Sequence, residues 1–255
     1  MKDYTFAVFN KLLREFVNCN YNVKTFENYI KDDKQKTLIL RHDVDRWPNN
    51  ALIMAKLEAN LGIKATYFFR IIPSVFNPKI IEQIRDLGHE IGYHYEDLVL
   101  CNGNYAKACV SFQRNLEKLR EIYPVSTICM HGSPLSKWDS KTIWQKYDYR
   151  KLGIKAAVNF DIDYNDVFYV TDNGRGWNKT SSSVRDKVQT KYSIPIKNTF
   201  HFIELIKNNK LPDKVMLNAH PDTFFDFGLK WVGNYMLLES KNIVKRMIVK
   251  YGIIK

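Results

Sequence analysis

Residues 36–45 read KTLILRHDVD, an apolar run that turns charged only at its end. Thr37, Leu38, Ile39 and Leu40 suit a buried strand, and the polar finish suits a strand that opens onto a site. Working outward, Asn49 is placed to cap a helix running through Gly62, with Leu57 and Leu61 among its buried positions. The next strand is 64–71 (KATYFFRI). Pro78 opens a second helix and Gly88 closes it. A short strand follows at 90–94 (EIGYH). Residues 105–123 then set Ala108, Phe112, Leu116, Leu119 and Ile122 on one helical face, and 127–131 is another strand. Repeated strand–helix–strand units imply parallel strands joined by right-handed crossovers, hence a barrel or an open parallel sheet.

Beyond Gly153 the alternation becomes irregular. Two strand-like stretches lie between Ala156 and Thr171, followed by a Gly- and Ser-rich loop. A helix is expected at 200–206, a buried strand at 214–220 ending on His220, and a C-terminal helix from about Leu237 to Tyr251. Near the N-terminus, Leu12, Leu13, Phe16 and Val17 look like one helical face. With no linker, repeat or low-complexity tract, the expectation is one domain over 1–255, with a helical extension at 1–30 and C-terminal helices at 225–255.

The 255 residues suffice for one sizeable core. With 45% apolar and 26% charged residues, disorder, collagen and coiled coil are excluded as the main description. No apolar run reaches the length of a membrane span. Lys11, Arg14 and Glu15 interrupt any secretory hydrophobic stretch, which points to the cytoplasm. The four cysteines show no C-x-x-C spacing and read as reduced thiols. A net charge of +12 favours anionic partners or a solvated lysine-rich surface, and leaves room for peripheral membrane contact. No nucleic-acid-binding signature accompanies that charge.

In parallel α/β folds, ligands gather at the carboxyl ends of the strands. Here the first strand ends on Arg41, His42, Asp43 and Asp45, the second on Arg70, and the third on His94, Tyr95, Glu96 and Asp97. The fourth ends on His131 and the late strand on His220. Four of the six histidines therefore sit at strand ends. A lone histidine of this kind is usually structural. Four of them beside two aspartates spaced i, i+2 suit a divalent cation held by carboxylate and imidazole.

The run LRHDVD, then GIKATYFF, then DLGHEIGYH resembles the polysaccharide deacetylase superfamily, with L-x-H echoed at Leu217–His220. The resemblance implies a distorted parallel (β/α) barrel. It implies Asp43 as general base, Asp45 and His94 as metal ligands, and His220 as general acid. Three departures accompany it. Leu98 falls where a second metal histidine belongs, MHGSPLS replaces R-x-P-x-G around His131, and TDNGRGW has no clear counterpart. His131 is the preferred substitute ligand, with Glu96 and Asp97 as rivals. The metal would be zinc, or cobalt, manganese or nickel.

The function this implies is removal of an N-acyl or O-acyl group from a sugar. The lack of a leader and the basic charge favour an anionic nucleotide- or lipid-linked precursor in surface-polysaccharide biosynthesis. Arg41 and Arg70 read as holding Asp43 ionised or as surface charges. With them, Tyr95, Glu96, Asp97, Arg175 and Trp177 make up the expected substrate-binding set. Arg175 is suited to an anion and Trp177 to a sugar ring. Trp47 and Trp138 read as sugar platforms or as core lids. The competing readings are a carbohydrate-binding relative that has lost its metal, a metal-independent amidohydrolase using Asp43 and His220, and a charge-driven nucleic-acid binder.

Overall fold

Strand β2 (Thr37–Val44) is buried at every residue. It pairs in parallel with β3 (Thr66–Phe69) through Arg41–Val44 and with β8 (Lys214–Asn218) through Thr37–Arg41. The computed structural model describes residues 2–32, 35–133, 136–172, 174–178 and 188–251. From β3 the parallel sheet continues through β4 (Glu90–Tyr95) and β5 (Thr127–Met130) to β6 (Ala156–Ala157). From β8 it continues to β7 (Phe168–Thr171). No pairing joins β6 to β7 among the described residues, so the sheet curls into a distorted barrel that stays open there.

The expected helices form, with a short α5 (Asp97–Leu100) besides: α3 (Pro48–Ala59), α4 (Pro78–Asp86), α6 (Tyr105–Arg120), α7 (Thr199–Lys207) and α8 (Leu229–Tyr251). The cap position of α3 is Trp47, not Asn49, and Leu57 and Leu61 are half-buried while Ala51, Met54 and Ala55 take the buried face. Pro78 stands in the first turn of α4, behind Asn77, whose side chain accepts from the Ile80 amide. Gly88, at φ +89°, supplies the left-handed turn after that helix. Helix α8 begins eight residues before the expected Leu237. No helix among the described residues is long and apolar enough to cross a membrane.

The N-terminal stretch is more than a helical extension. Helix α1 (Phe6–Asn18) buries Phe9, Leu12, Leu13 and Phe16, while Val17, expected on that face, is exposed. After it come β1 (Asn22–Lys24) and α2 (Phe26–Lys31). Strand β1 pairs with the first half of β2, on the edge that β3 takes from Arg41 onward.

Side chains alternate across each strand, which separates two cores. Leu38, Leu40, Val44, Tyr67, Ile91, Tyr93, Ile128 and Leu217 face the helices. Ile39, Phe68, Cys129, Tyr169 and Met216 fill the barrel lumen. At the lumen's amino end the buried Glu90 accepts hydrogen bonds from Thr66, Thr127 and the Glu27 amide. Gly92 makes room for the Phe68 ring, since a Cβ there would lie 2.3 Å from Phe68 Cδ1 and 3.2 Å from the Thr127 carbonyl oxygen. A Gly92→Ala substitution therefore overpacks the lumen. It is expected to destabilise the chain by about 1–3 kcal/mol, measured by denaturant unfolding.

Candidate active site

The same alternation sends Arg41, Asp43 and Asp45, then Arg70, His94 and Glu96, then His131, Asn218 and His220, toward the lumen and its carboxyl rim. Above the apolar filling, the Arg41 guanidinium lies over the Tyr169 ring at 5.6 Å and donates from Nη2 to Asp43 Oδ2 at 2.8 Å. Asn218 Nδ2 donates to the same oxygen at 3.0 Å. Burial pushes the Asp43 carboxyl up, but Arg41, with His94 and His220, outweighs it and holds the group below the ordinary carboxylate range. Arg41 is thus a buried partner of Asp43 and not a surface charge. Arg70 pairs with Glu96 instead.

Asp45 Oδ1 lies 3.3 Å from His94 Nε2 and 3.5 Å from His131 Nε2. That oxygen is buried with no well-aligned hydrogen bond, and both imidazoles stand within ion-pair distance of it. Each imidazole is fixed from behind. His94 Nδ1 meets the Cys129 carbonyl at 3.1 Å, and His131 Nδ1 meets Glu96 Oε2 and Ser133 Oγ, each at 3.0 Å. Glu96 is itself gripped by Arg70, with Nε to Oε1 at 2.7 Å. Burial pushes the Glu96 carboxyl up, but His131 and Arg70 bring it down to about 2.

These three residues could hold a metal ion. Their donor set of two imidazoles and one carboxylate suits zinc and its neighbours. With metal–ligand bonds of about 2.0–2.1 Å, tetrahedral ligand atoms stand about 3.4 Å apart, which matches the two distances from Asp45 Oδ1 to the imidazoles. A second group, Asp43, His94 and Cys129, is also close enough. Asp43 is already engaged by Arg41 and Asn218, which favours the group around Asp45.

His220 faces this group from the opposite side, with Nε2 4.0 Å from Asp43 Oδ2. Its Nδ1 meets Asp172 Oδ1 at 2.5 Å, and its backbone N–H also donates to Asp172. Burial pulls the imidazole down, but Asp172 more than offsets it and raises His220 to about 10. The arrangement pairs an ionised carboxylate with a protonated imidazole, beside three atoms suited to a cation. The side chains of Asp45, His131 and His220 keep 25%, 15% and 17% of their surface exposed, so a ligand can reach the group.

Several expected site residues lie elsewhere. His42 points to the helix side, where Nδ1 meets the Ala219 carbonyl and Nε2 meets Glu58 at 2.8 Å. Tyr95 and Asp97 follow His94 and Glu96 by one residue and therefore face outward. Tyr95 packs on Phe112 and Trp144, and Asp97 accepts from Tyr93, Ser111 and Asn115. Trp177 is buried against Tyr4 and Phe202 with Nε1 on Thr199, so it offers no face to a sugar. Arg175 is buried under Trp231 and Tyr235 of α8. Asn173 and the Ser-rich stretch 179–187 lie outside the described residues.

Asp172 is the site residue that sequence reasoning missed. Its only signal is its place directly after a strand end. An Asp172→Asn substitution should lower the His220 pKa from about 10 toward the ordinary 6.5, read by NMR titration. Because the pair raises the folded-state pKa, its stabilisation is full below 6.5 and fades as pH rises through about 10.

No family model and no curated protein matches the chain. Solved structures do. A CE4 family pseudoenzyme, as a mutant with restored enzymatic activity, is 11% identical at a TM-score of 0.44, over 83% of this chain and 64% of that one. The present chain thus spans less than two thirds of that protein's length. A peptidoglycan deacetylase from Bacillus subtilis is 14% identical at 0.40, over 86% and 99%. The chain is similar, too, to a CE4 esterase from Streptococcus mutans, at 15% identity and a TM-score of 0.47 over 90% of this chain and 89% of that one.

Proposed function

We propose that this chain is a metal-dependent hydrolase of the polysaccharide deacetylase kind, removing an N-acyl group from a sugar. The observation that carries the reading is the convergence of Asp45, His94 and His131 on one point, with Asp43 and His220 facing each other beside it. The likeness of LRHDVD and GHEIGYH to deacetylase motifs agrees with it. Leu98 is buried in the helix-side core, and His131 is the ligand we assign in its stead.

Asp45, His94 and His131 would hold a divalent cation, which when bound would supply Lewis-acid chemistry toward the acyl carbonyl and the attacking water. Asp43, kept ionised by Arg41, is placed to take the proton from the attacking water as general base. His220, kept protonated by Asp172, gives its proton to the departing sugar nitrogen through Nε2. Glu96 and Arg70 fix the His131 ring, and the Cys129 carbonyl fixes His94. The excess of basic residues suits a sugar carried on a phosphate, as a nucleotide- or lipid-linked precursor.

Three outcomes test this. Chelation should abolish hydrolysis of the acyl group, and zinc or cobalt should restore it. Glu96→Gln should weaken metal affinity about 10–100-fold, measured by competition with a chromogenic chelator. Asp43→Asn should cut kcat by about 10²–10⁴ while leaving metal content unchanged, read by elemental analysis. Full activity in chelated protein that falls in Asp43→Asn would mean a metal-independent amidohydrolase instead.

A further inference from the structure

We infer that Trp47 is a stacking platform for the sugar ring at the mouth of this site. The inference rests on the proposed carbohydrate substrate and adds a binding surface to it. Trp47 follows Asp45 by two residues, so its Cα stands within about 7 Å of the Asp45 Cα. Its side chain is 49% exposed. Its backbone is left-handed, at φ 56° and ψ 59°. A bulky residue seldom adopts this conformation, and one preceding a proline, here Pro48, is normally extended.

Burial does not repay that strain, because half of the indole remains in water. Glycine would meet the backbone requirement more cheaply. Trp47 contributes no side-chain cap to α3 either. What the residue does provide is a braced aromatic face. Phe225 supports the indole edge-on, with ring centroids 5.8 Å apart at 84°. Arg46 grips Asp222 through Nε at 2.9 Å and through Nη2. Asn50 donates to the carbonyls of Pro221 and Phe224. These contacts tie the loop carrying Asp45 to the loop carrying His220. The platform is thereby fixed relative to both the metal-binding group and the acid.

An indole presented this way binds the C–H face of a pyranose. Trp138, the other tryptophan after a strand end, is spent on packing, since a Cβ at Gly103 would meet its ring at 2.5 Å.

The test titrates metal-stripped protein with UDP-N-acetylglucosamine, triacetylchitotriose and UDP, following tryptophan fluorescence. The expected result is saturable binding of the sugars that weakens about tenfold in Trp47→Gly, with UDP binding unchanged. Trp47→Phe should retain most of the affinity, and Trp47→Gly should melt at or above the wild-type temperature. Sugar affinity unchanged in Trp47→Gly, or no saturable binding of either sugar to wild type, would overturn the platform. So would a lower melting temperature with sugar binding intact, which would make Trp47 a lid. Sugar binding through Trp47 without hydrolysis by the metal-loaded protein would overturn the hydrolase reading alone. Hydrolysis with an unchanged KM in Trp47→Gly would overturn the platform alone.

Discussion

Two imidazole nitrogens and one carboxylate oxygen are held together at the lumen rim by what stands behind each of them as well as by their mutual charge. The Cys129 carbonyl fixes His94, the Glu96–Arg70 pair and Ser133 fix His131, and the end of β2 fixes Asp45. A buried oxygen without a donor is costly in an ordinary protein interior. That cost fits the proposed metal site, where side chains already close together would need little reorganisation to bind a cation. The proposed base, acid and substrate surface are all arranged about that point.

The acid and base roles proposed for His220 and Asp43 rest on environment in the same way. Asp43 and His220 are both largely withdrawn from water, which by itself would favour their neutral forms. Arg41 reverses this for Asp43, and Asp172 reverses it for His220. One group is thus left without its proton and the other with it, across a gap of 4.0 Å. An unprotonated base beside a protonated acid is what the proposed hydrolysis of an acyl–nitrogen bond needs.

Much of this was legible in the sequence because a strand has a period of two. Asp43 and Asp45 share a face by spacing alone, and the strand-end rule selected His94, His131 and His220 without a complete motif. His131 is the instructive case. The histidine that the family pattern places at position 98 is absent, yet the next strand end supplies one. The same rule misplaced Tyr95 and Asp97, where proximity in sequence was allowed to outweigh parity, and His42, whose neighbours Arg41 and Asp43 lie on the other face. Asp172 escaped because β7 lies in the irregular region after Gly153, where no periodic pattern marks a strand end. Strand β1, at three residues, is too short to show a period at all. Arg175 and Trp177 suit a ligand by residue type, but Tyr4, α7 and α8 cover them, and those are contacts between distant parts of the chain.

The most direct test of the account is X-ray absorption of the zinc-loaded protein. Two imidazole nitrogens and a carboxylate oxygen at about 2.0–2.1 Å, with no sulfur, is the predicted first shell. A sulfur scatterer at about 2.3 Å would place the metal on Asp43, His94 and Cys129 and contradict the site described here. Failure of the protein to retain zinc would contradict it more completely.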